Sequence, residues 1–100
     1  MKTLFTIHKL PDFLEWFRCE PIKSQNQILA RISRIELDGY FGNHKNLLDD
    51  LWELKFNDGR RIYYANAGNL QVILLIGGNK NGQKKDIKKA RTLIKQIIEG

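Results

Sequence analysis

The stretch that most constrains this chain runs from Leu51 to Ile76, where three runs of strand-forming residues follow one another with links of three residues each. The runs are Leu51 to Phe56, Arg60 to Asn66 and Leu70 to Ile76, and the links Asn57-Asp58-Gly59 and Ala67-Gly68-Asn69 are rich in hairpin residues. Parallel neighbours need a crossover of about a dozen residues or more, so links this short predict an antiparallel meander. The third run is apolar almost throughout, which suits a central strand covered on both faces for part of its length.

The pleat tests the register of the first hairpin, because residues directly opposite each other share a face. A two-residue loop at Asp58-Gly59 would set Phe56 against Arg61 and Lys55 against Ile62, mixing core and charge in both pairs. A three-residue loop, with Gly59 in the left-handed region as a bulge, sets Leu54 against Ile62 and Trp52 against Tyr64 on one face. Lys55 then opposes Arg61, and Glu53 opposes Tyr63, on the other. This second register separates core from charge and is the one expected. Two cations directly across a hairpin repel by a few tenths of a kcal/mol to about 1 kcal/mol. A phosphate held between Lys55 and Arg61 would remove that cost and supply charge-assisted hydrogen bonds. The plainer alternative is a solvated basic face, partly neutralised by Glu53.

The rest of the chain reads around this meander. Thr3 to His8 suits a first strand, and Pro11 suits the first turn of a short helix striped by Leu10, Phe13, Leu14 and Phe17. Pro21 opens a second helix with Ile28, Leu29, Ile32 and Ile35 on one face and Gly39 as its stop. Tyr40 to Asp50, with Gly42, Asn43 and Asn46, reads as a loop. A last helix from about Gly82 to Glu99 carries Ile87, Ala90, Leu93, Ile94, Ile97 and Ile98 on one side. The order is β-α-α-β-β-β-α, an α+β fold in which a twisted antiparallel sheet carries an N-terminal helical hairpin and a C-terminal helix. With 100 residues, 1–100 form one domain.

Seventeen Lys and Arg against eleven Asp and Glu leave a formal charge of +6, which draws polyanions. The segment from Gly77 to Lys85, Gly-Gly-Asn-Lys-Asn-Gly-Gln-Lys-Lys, leaves the apolar strand and enters the last helix. Backbone N–H groups, a positive helix end and Lys80, Lys84 and Lys85 would thus meet, an arrangement suited to anions. It lacks the spacing and the final Ser/Thr of a P-loop. A single cysteine, Cys19, excludes an internal disulfide and a cysteine-based metal cluster. No apolar run reaches membrane-spanning length and the N-terminus lacks the pattern of a signal peptide. A cytoplasmic protein is expected, with no metal, cofactor or small-molecule ligand and no membrane contact.

Several short pieces, in order, resemble the RelE/ParE toxin superfamily, and within it the small phage-derived, HigB-like branch of Gp49-like addiction-module killers. They are Ile28-Leu29-Ala30-Arg31-Ile32, Trp52-Glu53-Leu54-Lys55, Arg61-Ile62-Tyr63-Tyr64, and Leu74-Leu75-Ile76-Gly77-Gly78-Asn79-Lys80 followed by Gln83-Lys84-Lys85-Asp86-Ile87. The resemblance implies the toxin of a type II toxin–antitoxin pair, neutralised by a small helix-turn-helix antitoxin. RelE-like relatives cut mRNA in the ribosomal A site without a metal, whereas ParE-like relatives inhibit DNA gyrase by binding. A basic binding module without toxicity is the third reading. Relatives often carry Arg where this chain has Lys55, and the tail that follows the last strand in active RelE proteins, with its Tyr or His, is replaced here by a helix.

On the endoribonuclease reading, a 2′-hydroxyl attack needs a proton acceptor, a stabiliser for the phosphorane charge and a proton donor for the leaving oxygen. Arg61 is expected to stabilise the charge, with Lys55 and Lys80 on flanking phosphates, assisted by Lys84 and Lys85. Tyr63 would stack on a base or donate a proton. His44, in the loop reading, is an ordinary exposed histidine rather than the base. With no strong base in the sequence, cleavage should depend on geometry supplied by the ribosome.

Overall fold

The computed structural model describes residues 3–100. The elements are β1 (Thr6–Lys9), α1 (Pro11–Arg18), α2 (Ile22–Asp38), β2 (His44–Leu48), β3 (Leu51–Lys55), β4 (Arg60–Gly68), β5 (Gln71–Asn79), a 3-10 turn (Lys80–Gly82) and α3 (Gln83–Glu99). They build one five-stranded sheet in the order β1-β5-β4-β3-β2. The expected α+β class and helix order hold, with two corrections to the sheet.

The first correction concerns β1, which pairs parallel to β5, so the sheet is mixed rather than wholly antiparallel. Its register runs from Thr6 opposite Gln71 to Lys9 opposite Leu74, and Leu10 N–H closes the ladder on the Leu74 carbonyl at 3.0 Å. β5 therefore lies between β1 and β4, covered by helices on both faces, and β4 takes the centre. The second concerns His44–Leu48, which the loop reading missed. It is an edge strand antiparallel to β3, with a register irregularity between Asn46 and Leu48. Four of its five residues are exposed, so burial imposes no alternation and the sequence carries no period to read.

The β3–β4 hairpin has the register expected from the pleat, with Leu54 opposite Ile62, Trp52 opposite Tyr64, Lys55 opposite Arg61 and Glu53 opposite Tyr63. Gly59 turns the chain at φ 92°, a region that side-chain-bearing residues avoid. The β4–β5 turn differs from expectation. Gly68 pairs with Gln71, which leaves Asn69 and Leu70 as a two-residue turn with φ of 51° and 59°. Two left-handed residues give the twist that matches the flanking strands, and the cost falls on Leu70.

The sheet is covered on both faces. α1 and α2 lie on one, where Phe13, Ile28, Ile32 and Ile35 meet Leu54, Ile62, Tyr64, Val72 and Leu74. α3 lies on the other, where Ala90 and Leu93 meet Leu51, Tyr63, Ala65 and Leu75. The consecutive glycines of β5 serve this double packing. A β-carbon on Gly77 would stand 2.2 Å from the Trp16 ring of α1, and one on Gly78 would stand 2.0 Å from the Asp86 carboxylate of α3. Both are strand residues, opposite Ile62 and Arg61. They do not form the glycine-rich turn that the sequence suggested as an anion cradle. The turn comes later, at Asn79, whose side-chain oxygen accepts from Asn81 N–H at 3.0 Å.

Candidate functional site

The pleat that sends Trp52, Leu54 and Phe56 towards α2 sends Glu53 and Lys55 towards α3. Lys55, Arg61 and Gly78 thus form one row across β3, β4 and β5, and Glu53, Tyr63 and Ile76 the next. The second row is sealed under α3, with Glu53 1% and Tyr63 0% exposed. The first row is the rim of that cover. The Lys55 side chain is 31% exposed and that of Arg61 15%. The face that carries Lys55 and Arg61 is therefore not the open, solvated face that the plainer alternative supposed: an amphipathic helix needs an apolar surface, and this face supplies the Tyr63–Ala65–Leu75 patch that accepts α3.

Burial of Glu53 changes the electrostatics of the cation pair. Lys55 Nζ lies 3.8 Å and an Arg61 terminal nitrogen 3.9 Å from the same oxygen, Oε1 of Glu53. The other oxygen accepts from Gln83 Nε2 of α3 at 3.2 Å. The repulsion between Lys55 and Arg61 is thus answered within the fold by a carboxylate. The pairing is loose. Glu53 Oε1, Arg61 Nε and the Tyr63 hydroxyl are buried and make no hydrogen bond. Arg61 is held near the carboxylate by charge, and its hydrogen-bonding directions are not committed to it.

Lys80 lies at the turn of the same hairpin. Its N–H donates to the Gly59 carbonyl at 2.9 Å, and its stem lies where a β-carbon on Gly59 would come within 3.3 Å. Lys55, Arg61 and Lys80 therefore gather at one end of the β3–β4 hairpin. Lys84 and Lys85 stand exposed on the first turn of α3. The positive helix end they were expected to reinforce is met by Asp86 in that same turn, packed on Gly78. Burial raises the Asp86 carboxyl above the ordinary aspartate range, while Lys85 and Lys89 pull it down.

Tyr63 shares the face of Arg61, as expected, but cannot do what was asked of it. Its ring is wholly enclosed between β4 and α3, so no base can stack on it. Burial, and then the negative charges of Glu53 and Asp86, push its hydroxyl up to about 12, partly offset by Arg61. At neutral pH it is a buried neutral phenol.

Sequence reasoning missed a second constellation, on the α2 side of the same hairpin. Arg31 donates to the backbone carbonyls of Phe41 at 3.0 Å, Asn43 at 2.7 Å and Lys55 at 2.7 Å, clipping the loop before β2 to the end of β3. The Arg31 and Arg60 guanidiniums lie 4.7 and 4.8 Å from the centroid of the Phe56 ring. Arg60 is itself held by Asp58, Ser24 and Gln27. Gln27, Arg31, Phe56, Asp58 and Arg60, with Asn43, Lys55 and Asn57, line a cleft of about 500 Å³. Beside it, His44 is stacked between Phe41 and Trp52 at centroid distances of 5.3 and 5.1 Å, and its Nδ1 lies 3.0 Å from the Tyr64 hydroxyl. His44 is thus a strand residue fixed by rings, not a loop histidine. The only sequence signal was Arg31 within the helical motif, since its partners are distant in the chain.

Among the described residues no group of three or more His, Cys, Asp or Glu side chains is placed to hold a metal ion, and no helix is long and apolar enough to cross a membrane.

The family model described as phage-derived protein Gp49-like matches residues 15–96. An uncharacterised protein of Haemophilus influenzae (strain Rd) is 36% identical over 88 residues, covering 85% of this chain and 88% of that protein. The family match, over residues 15–96, spans both constellations.

Proposed function

The chain belongs to the phage-derived Gp49-like family, which falls in the RelE-like addiction-module-killer group, and from that premise we propose that it is the toxin of a type II toxin–antitoxin pair, cutting mRNA on the ribosome and neutralised by a helix-turn-helix antitoxin. The observation that carries the reading is the gathering of Lys55, Arg61 and Lys80 at one end of the β3–β4 hairpin, with Arg61 in loose contact with its carboxylate.

In this reading the chain supplies charge and the ribosome supplies geometry. Arg61 meets the charge that builds on the phosphorane, where a nearby guanidinium with free donors is worth most. Lys55 and Lys80 hold the neighbouring phosphates, and Lys84 and Lys85 extend the basic surface along the strand. Lys55 acts as a point charge without the bidentate fork of an arginine. Binding adds the direct hydrogen bonds of a phosphate to cations that Glu53 holds by charge alone. Tyr63 has no part in it.

Induction of the gene with and without its neighbour, with transcript ends sequenced, tests the proposal. New cuts within codons, suppressed by the neighbouring gene, are expected. Arg61→Ala should abolish growth arrest while the protein still binds its antitoxin. Intact transcripts accompanied by DNA-damage signalling would replace the proposal with gyrase inhibition, and harmless overexpression would replace it with a plain basic binding module.

A further inference from the structure

The cleft between α2 and the β3–β4 hairpin lies across the sheet from Arg61, and of the residues given a part in the mechanism above only Lys55 reaches its lining. Its architecture is nonetheless that of a prepared site. Phe56 is flanked by two guanidiniums, and both are immobilised. Arg31 is tied to three backbone carbonyls, and Arg60 to Asp58, Ser24 and Gln27. With the Phe56 ring taken up by the two guanidiniums, which it holds flat, the outer face of a fixed guanidinium is the surface on which a nucleobase stacks. The exposed amides of Asn43 and Asn57 stand at the rim, and amides offer the paired donors and acceptors that match base edges. The volume, about 500 Å³, lies in the range of small-ligand sites.

The same contacts argue against a simple anion site. Arg31 and Arg60 already direct donors to carbonyls, a carboxylate, a hydroxyl and an amide, and Asp58 lies in the lining. A free phosphate would have to displace those bonds, whereas a stacked base leaves them in place. The remaining positive balance of Arg31, Lys55 and Arg60 over Asp58 still draws a polyanionic strand towards the cleft.

We propose that this cleft binds one unpaired base of single-stranded RNA, stacked on the Arg31–Phe56–Arg60 pile and edged by Asn43 and Asn57. The inference rests on the RNA reading above and deepens it: the strand would contact both sides of the β3–β4 hairpin, by its phosphates at Arg61 and by a base here.

Anisotropy titration of the purified protein with a short fluorescent RNA, and with the same strand carrying an abasic residue, tests it at fixed salt. The abasic strand keeps every phosphate, so the ratio of the two affinities reports the base alone. Stacking of one base predicts a preference of about tenfold for the intact strand. Asn43→Ala/Asn57→Ala, both exposed positions, should reduce that ratio severalfold, and Phe56→Leu should bring it close to unity. Urea unfolding of each variant establishes that it folds. A wild-type protein that binds both strands equally overturns the inference while leaving the RNA reading intact, and so does a variant that weakens both strands by the same factor. Failure to bind either strand overturns the inference, while the ribosome-dependent reading is decided separately by the transcript ends after induction. Loss of binding to the neighbouring gene's product in these variants, with the base preference unchanged, would make the cleft a protein contact instead.

Discussion

Glu53→Gln isolates the electrostatics of the site. The substitution keeps shape and the contact with Gln83 but removes the charge that Lys55 and Arg61 share. At an effective dielectric of about 20, unit charges separated by 3.8 and 3.9 Å attract by about 4 kcal/mol each. Against this stands the cost of burying the carboxylate, several kcal/mol in real proteins. The two cations left behind keep part of their solvation, being 31% and 15% exposed, which places the loss below the range for a fully buried broken pair. A net destabilisation of about 2 kcal/mol is expected, with roughly a further few tenths from the exposed repulsion across the hairpin. For a domain of this size that lowers Tm by roughly 10 °C. Urea unfolding should show a lower midpoint at unchanged slope. In an Arg61→Ala background the same substitution should cost about 1 kcal/mol less, because one of its two partners is gone. The variant should also bind a single-stranded RNA more tightly than wild type, since the competing carboxylate is removed. Stability equal to or above wild type, or a cost unchanged in the Arg61→Ala background, would refute the account of Glu53 as the anchor of the pair.

Other substitutions probe the packing that frames the site. Tyr63→Phe removes a buried hydroxyl that has no partner; it should stabilise by about 1 kcal/mol and retain full growth arrest, and loss of arrest would return Tyr63 to the mechanism. Gly77→Ala drives a β-carbon into the Trp16 ring and should cost about 3 kcal/mol in urea unfolding, whereas Gly68→Ala, whose β-carbon meets nothing within 4 Å, should cost less, through its positive φ alone. Asp86→Asn reports pH. The folded-state carboxyl is raised by burial, so the native state binds that proton more tightly than the unfolded chain does, and stability from this group is present in acid and lost as pH rises through the folded value. The variant should therefore gain on wild type at neutral pH, with the gain vanishing below the ordinary aspartate range; a gain that grew in acid would refute the sign.

How much of the site was legible depends on how far apart its parts lie in the chain. The pairing of Lys55 with Arg61, and of Glu53 with Tyr63, follows from a turn and a two-residue period, because a slip of one residue would expose Leu54 and Ile62 and bury charge. Lys80 lies at the turn of the same hairpin, against Gly59, because β5 pairs with β4 through a short turn. The fate of Tyr63 was not legible, because its exposure depends on α3, some twenty residues further on. Arg31 and Arg60 were hidden for the same reason: Phe41 and Asn43, in the loop before β2, and Lys55 of β3 are distant in the chain from Arg31, as Ser24 and Gln27 of α2 are from Arg60.

Hydrophobic periodicity and turn chemistry thus determined what is local here: three helices with apolar stripes, a meander, and the register of its first hairpin. An apolar stripe states that a helix must be covered without stating by what, and a glycine pair permits close approach without naming the neighbour. Which face of the sheet α3 covers, that β1 runs parallel to β5, and that His44–Leu48 becomes a strand were decided only in the folded molecule. Each depends on surfaces that come into being when segments distant in sequence pack together, and such surfaces leave no period in the chain.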